Sequence, residues 1–253
     1  SIQNGRLDYE IDYFAYENEV TLKDIHFTLE KGQTMGIVGP TGSGKTTLLR
    51  LLLREQDIQE GVIYLNRHDI REYALKDLRG LIGYVPQDQI LFALSIRDNI
   101  HFANPELSEE QVIRAAQLCG VYEDIKAMSD GLDTLLGERG VSLSGGQKQR
   151  LAMSRALITN PEILILDDSL SAVDAKTEHV ILENLKQERA DKTTIITAHR
   201  LSAIVHADLI LVMENGRIKE RGNHQELLAA QGWYAQTYQN QQLYERFKEE
   251  SSK

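Results

Sequence analysis

The sequence predicts an α/β fold, with a mostly parallel sheet, an added antiparallel β layer and an inserted α-helical subdomain. The four-residue aliphatic run Ile163–Leu166 reads as a central parallel strand, and Gln33–Val38 and Thr193–Thr197 read as further short buried strands. Ahead of them, Arg6–Ala15 and Ile25–Glu30 alternate as half-buried strands do, which points to an antiparallel layer leading into the core. Between them, Ser95 to about Leu157 turns to helical spacing, as an insertion into the α/β core does.

The chain has 253 residues, enough for one large domain or a domain with a sizeable insertion, and its 42% hydrophobic content supports a real core. No uninterrupted apolar run approaches the roughly 20 residues that span a bilayer. Ser1–Asp12 is polar and mixed, unlike a signal peptide, and the absence of an initiator Met is expected of an excised piece or a processed product. The single Cys119 rules out an internal disulfide framework, suits a reducing compartment and reads as a small buried apolar residue. A formal charge of −10 argues against a general nucleic-acid binder, which shows a basic face, yet leaves room for an anionic ligand held by local positive charge.

In chain order, the first residue of interest is Tyr16, in a polar loop between the two leading strands. Its ring could stack on a planar base, but composition alone favours a partly exposed tyrosine that packs at a strand end. The strand Gln33–Val38 then runs into Gly39, Pro40, Thr41, Gly42, Ser43, Gly44, Lys45, Thr46 and Thr47, with a leucine-rich helix behind. This is the phosphate-loop pattern in its required strand–loop–helix context, so the core is of the P-loop NTPase type. Glycines at 39, 42 and 44 let the backbone approach a phosphate, and N–H groups at the helix start face the anion. Lys45 would reach the β- and γ-phosphates and the Thr46 hydroxyl would ligate Mg²⁺.

Gly61–Leu65 and Leu81–Val85 read as further strands, the second delivering Gln87 at a carboxyl end, where open α/β sheets bind ligands. An amide there can touch Mg²⁺ or a water, a weak signal alone. In the helical region Ser108 opens one helix with acids in its first turn. Leu143, Ser144, Gly145, Gly146 and Gln147 open another, a second glycine-bearing helix start that faces an anion. The strand Ile163–Leu166 delivers Asp167, placed to hold Mg²⁺ through water, and Asp168, for which a helix-capping role is the alternative. The strand Thr193–Thr197 ends in Ala198 and His199, which is either structural or a donor to a γ-phosphate. Leu209–Met213 and Arg217–Arg221, turned by Asn215-Gly216, form a hairpin, helices follow from Gln225, and the charged tail from Tyr244 is expected to fray.

Taken together these residues resemble the nucleotide-binding domain of ABC transporters over nearly the whole chain. The phosphate loop matches at Gly39–Thr46, the glutamine loop at Gln87, the signature at Leu143–Gln147, the acidic strand end at Asp167, the D-loop at Ser171–Asp174 and the switch histidine at His199. The signature is the most specific of these, because phosphate loops occur in many unrelated NTPases. The resemblance implies ATP and Mg²⁺ as ligands, Tyr16 as the adenine-stacking aromatic, and Thr46, Gln87 and Asp167 around the metal. It also explains the second cradle: in this family two domains pack head to tail, so Ser144, Gly145, Gly146 and Gln147 would bind the partner domain's nucleotide. Leu136–Gly140, with Glu138 at its centre, resembles the X-loop of exporters, which touches the transmembrane domain, as the Gln87 loop does.

One departure stands out. Where most members carry Glu after the Mg²⁺-binding Asp, this chain has Asp168, as in the degenerate half of heterodimeric bacterial multidrug exporters. The resemblance therefore implies an exporter ATPase at the cytoplasmic face of the membrane, with an impaired site of its own, an intact signature for a non-identical partner, and no nucleic-acid partner. In exporters of this type a transmembrane half precedes the domain. An ATP-occluding half with negligible hydrolysis and a lipid or peptide exporter are the alternatives. A soluble ABC ATPase of DNA repair or translation would carry a long coiled coil or a second phosphate loop, and neither is seen. On this reading residues 1–94 and 158–240 form the nucleotide-binding core, 95–157 the helical signature subdomain and 241–253 the tail.

Overall fold

Alternation of side chains along each strand decides how the layers stack. The computed structural model describes residues 5–17 and 19–252. The strands are β1 (Leu7–Tyr16), β2 (Glu19–Leu29), β3 (Thr34–Val38), β4 (Glu60–Leu65), β5 (His68–Asp69), β6 (Ile82–Val85), β7 (Ile163–Asp167), β8 (Thr193–Thr197), β9 (Leu209–Glu214) and β10 (Arg217–Gly222). The helices are α1 (Lys45–Leu52), α2 (Leu75–Gly80), α3 (Ile96–Ile100), α4 (Glu109–Leu118), α5 (Tyr122–Lys126), α6 (Gly145–Leu157), α7 (Ala175–Glu188), α8 (His224–Ala230) and α9 (Trp233–Ser251).

The central sheet has the order β10-β9-β3-β8-β7-β6, parallel from β9 to β6 and closed at one edge by the antiparallel β10. Its middle strands are apolar on both faces, and the two faces feed different cores. Ile163 and Ile165 of β7 join Met35, Ile37, Leu48, Leu52 and residues of β1 and β2, including the stacked Tyr9–Phe27 pair. Leu164 and Leu166 point the other way, to Met153 of α6, Ile181 and Leu185 of α7 and Tyr234 of α9. A third cluster, Ile96, Ile100, Val112, Ala116, Ile125 and Leu151, lies within the helical region. Helix α6 thus gives Leu151 to the helical cluster and Met153 to the sheet.

The antiparallel layer is larger than the sequence suggested. It has the order β2-β1-β4-β5, so Gly61–Leu65 belongs to it, not to the parallel sheet. β2 begins at Glu19, well before Ile25, and β1 extends to Tyr16, which therefore ends a strand and pairs opposite Glu19 instead of lying in a loop. The polar residues concealed this length, since one face of an outer layer is wet and needs no apolar run. The tail does not fray at Tyr244: α9 continues to Ser251, because its buried start, Tyr234 and Ala235, anchors a run of good helix formers.

Candidate functional site

The carboxyl ends of β3, β7 and β8 converge beside the phosphate loop. Gly39 follows β3 at φ 151°, and a Cβ there would collide with the carbonyl of Met213, so only glycine fits. Helix α1 starts at Lys45 behind Gly44, and no side chain caps its first N–H groups. These donors are left for an external acceptor. Thr41 and Gly42 are exposed at the loop tip, Ser43 is buried, Thr46 is exposed in the first turn and Thr47 half-buried. The Lys45 ammonium donates to the carbonyls of Gly39 (2.6 Å) and Pro40 (3.0 Å). Burial lowers its pKa, and the charges of Asp168 and Asp167 oppose that shift. The turn between β9 and β10 and strand β2 close one side of the loop: the Ser43 carbonyl accepts from Gly216 N–H, and Thr21–Leu22 lies against Gly44 and Gly216. Tyr16 stands at the near end of β1, its ring edge-on to Phe14.

At the end of β7, Asp167 is buried and both its oxygens accept hydrogen bonds: Oδ1 from the Thr197 hydroxyl at 2.7 Å and Oδ2 from the Tyr84 hydroxyl at 3.0 Å. Sheet register causes this, because Thr197 pairs with Asp167 across β8 and Tyr84 with Ile165 across β6. Asp168 is the first residue off the strand, at φ 49°, a left-handed conformation that Asp tolerates. Its N–H donates to the Thr197 carbonyl and hydroxyl oxygens. Burial raises its carboxyl pKa, partly offset by the charge of His199. His199 faces it with Nε2 3.9 Å from Oδ2, beyond hydrogen-bond reach, and its side chain is 54% exposed. Helix capping falls to Asp174, whose carboxylate accepts from Thr177 N–H at the start of α7.

Ser144, Gly145, Gly146 and Gln147 do not join this cluster. They open α6 as a capping box in which the Ser144 Oγ accepts from Gln147 N–H and the Gln147 Oε1 accepts from Ser144 N–H. The serine hydroxyl proton remains free to donate. Gly145 and Gly146 face solvent and the D-loop, where a Cβ on Gly146 would lie 2.8 Å from the Ala172 carbonyl oxygen. Gln87 is exposed beyond β6, and its carbonyl accepts from Gln89 Nε2. Glu138 lines a separate cleft of about 580 Å³ with Gln89, Ile90, Leu91, Val141 and Lys148.

Sequence reasoning missed the supporting residues. Gln149 ties the signature helix to the D-loop, donating to the Ser171 hydroxyl (2.9 Å) and accepting from Ala172 N–H (2.8 Å). Arg200 donates to the carbonyls of Leu170 and Val173 and pairs with the buried Glu178, which also accepts from Ser202. Tyr84 and Thr197 hold Asp167. Only strand register and helix contact reveal these partners.

The groups present suit a nucleoside triphosphate with Mg²⁺. An uncapped helix start and a lysine meet an anion, and Thr46 with Asp167 supplies few, hard oxygen ligands. Among the described residues no cluster of three or more His, Cys, Asp or Glu could hold a metal by itself.

Comparison with known proteins agrees with that geometry. Residues 22–171 match the ABC transporter family model, from β2 through the acidic strand end. The chain belongs to the ABC transporter family. This ABC domain is 52% identical over 233 residues to a probable multidrug resistance ABC transporter ATP-binding/permease protein of Bacillus subtilis, covering 91% of the chain and 40% of that protein. It is 47% identical to the multidrug resistance-like ATP-binding protein MdlA of Buchnera aphidicola, covering 95% of the chain and 42% of the relative. Its fold superposes on a bacterial Atm1-family ABC exporter with ATP bound at a TM-score of 0.91 and 38% identity, over 95% of this chain and 43% of that one. The ABC domain therefore spans well under half the length of these relatives. No helix among its described residues is long and apolar enough to cross a membrane.

Proposed function

We propose that this domain is the ATP-driven motor of a multidrug-type exporter, working at the cytoplasmic face of the membrane in a pair with a non-identical ABC domain. Lys45 and the N–H groups of Gly39–Thr47 grip the triphosphate, Tyr16 stacks on the adenine, Thr46, Asp167 and Gln87 surround the metal, and His199 contacts the γ-phosphate. Mg²⁺, when bound, neutralises charge on the β- and γ-phosphates. Ser144 and Gly146 donate to the nucleotide of the partner domain. The core is 1–94 with 158–240, the signature region 95–157, and 241–253 the terminal segment.

The observation that carries the division of labour is Asp168. A water attacking the γ-phosphate needs a carboxylate to take up its proton, and a well-placed base is worth about 10² to 10⁴ in rate. Aspartate keeps the charge but withdraws it by roughly 1.5 Å, one C–C bond. An offset of that size costs on the order of 10²-fold. Burial raises the pKa of the same carboxyl, so its shortfall lies in reach and not in basicity. This site would then bind ATP normally and cleave it slowly, while its intact signature completes the partner's site. The shortened side chain also suits a second reading, in which this half occludes ATP and mainly holds the pair together.

The test is Asp168→Glu in the assembled transporter with the partner domain's own site silenced, so that only this site turns over. A slowed site should gain about 10- to 100-fold in turnover. No gain would sink the retracted-base argument and leave the occluding reading. Fast cleavage by a homodimer of this chain that depends on residue 168 would remove the proposed asymmetry.

The contact with a transmembrane domain is proposed at the cleft between the Gln87 loop and the Glu138 loop. Ile90 is 69% exposed there, Leu135 and Val141 are exposed, and Phe92 and Phe102 stack on the surface with ring centroids 4.4 Å apart. An apolar cluster of this kind on a charged surface marks a docking site.

A further inference from the structure

We infer that Gln241, on the C-terminal helix, is the positioning residue for His199; this rests on the reading of His199 as the γ-phosphate contact. Among the described residues the His199 ring has no hydrogen bond to hold it, its nearest charged partner being Asp168 at 3.9 Å. Where the ring points is therefore set by the backbone of the turn that carries it. A side chain from another element fastens that backbone. Gln241 Nε2 donates to the His199 carbonyl at 2.7 Å, and Gln241 Oε1 accepts from Leu201 N–H at 2.9 Å. The amide's separate N–H₂ donor and carbonyl acceptor satisfy a carbonyl and an N–H at once, so the two bonds fix both its orientation and the turn.

The clamp comes from far away in sequence and from a separately anchored element. Gln241 lies 42 residues beyond His199. Its helix α9 is seated by the fully buried Tyr234, whose hydroxyl meets His224 Nδ1 at 2.7 Å, and by Tyr238 packed against the same imidazole. On the opposite side the turn is held by Arg200 to the D-loop carbonyls and Glu178. His199 is thus suspended between the D-loop and α9, and a shift or rotation of α9 moves the imidazole relative to Asp168. Past Gln241 the helix exposes Leu243, Tyr244 and Phe247, so whatever touches that end acts on the nucleotide site through this amide.

The experiment compares Mg-ATP and Mg-ADP affinities of the assembled transporter for wild type, Gln241→Leu, Gln241→Glu, His199→Ala and the His199→Ala/Gln241→Leu double variant. Gln241→Leu should weaken ATP by about 3- to 10-fold, the scale of a hydrogen bond to a charged group partly lost, and leave ADP unchanged. Gln241→Glu, which keeps the acceptor for Leu201 and loses the donor for His199, should fall between. In the His199→Ala background Gln241→Leu should add nothing, as for two residues acting through one contact. Equal weakening of ATP and ADP, or full additivity with His199→Ala, means Gln241 serves the fold alone and overturns the inference. If His199→Ala lowers the ATP preference and Gln241→Leu does not, the inference fails while the site reading stands. If His199→Ala itself changes nothing, the site reading fails and the inference with it.

Discussion

At Asp168 a carboxylate is asked to work from a half-buried position at the end of a strand, and the sign of its shift has a consequence for stability. Burial raises its pKa above the ordinary aspartate range, so in that window the folded chain keeps a proton that the unfolded chain has released. Stability from this group is therefore present at acid pH and declines as pH rises through the raised value. Asp168→Asn should melt at a higher temperature than wild type at neutral pH, with the difference shrinking as both are acidified; a wild type that is the more stable at pH 7 would contradict it. Cys119 gives a second check at this scale. Burial pushes its thiol up to about 12. It should resist alkylation at pH 8 in the folded protein and react once denatured.

Among the elements, α6 and α7 do most to connect the two halves of the site. Gln149 is buried on α6 and bridges to Ser171 and Ala172, so the signature helix and the D-loop move as a unit. Gln149→Ala should leave ATP binding to the Lys45 loop intact and reduce turnover at the partner's site, read as kcat falling with little change in KM. Glu178 on α7 accepts from Arg200 and Ser202 with its side chain almost wholly buried. Glu178→Ala leaves a guanidinium short of its counter-charge, and urea unfolding should report a loss of about 2 kcal/mol. A loss within error would mean that the Leu170 and Val173 carbonyls suffice for Arg200.

For the molecule as a whole, the arrangement is a sheet buried on both faces, with nucleotide chemistry at its carboxyl edge and an exposed apolar cluster on the helical region. If that cluster seats a transmembrane domain, Ile90→Asp with Phe102→Asp should leave Mg-ATP affinity of this domain unchanged and abolish ATP-driven transport by the assembled exporter. Weakened ATP binding instead would show that the patch supports the nucleotide site directly. The net charge of −10 does not oppose ATP, because the field that matters is that of Lys45 and the free N–H groups of α1.

Much of this was legible before any coordinates. The phosphate loop, the signature, Asp167, Asp168 and His199 are local in sequence, since each is a strand end or helix start whose chemistry lies in consecutive residues. The strands of the central sheet were legible for the same reason, because burial on both faces leaves a continuous apolar run. The length of β2, the place of β4 in the antiparallel layer and the helical tail were not, because one wet face dilutes the apolar pattern. Nor were Tyr84 and Thr197 on Asp167, Gln149 on the D-loop, or Gln241 on the His199 turn. These depend on which strands pair in which register and where α9 packs. The sequence by itself thus picked out the candidate groups, whose chemistry is local; tertiary structure alone decided what holds them, because hydrogen bonds between residues tens of positions apart exist only once the core has set the geometry.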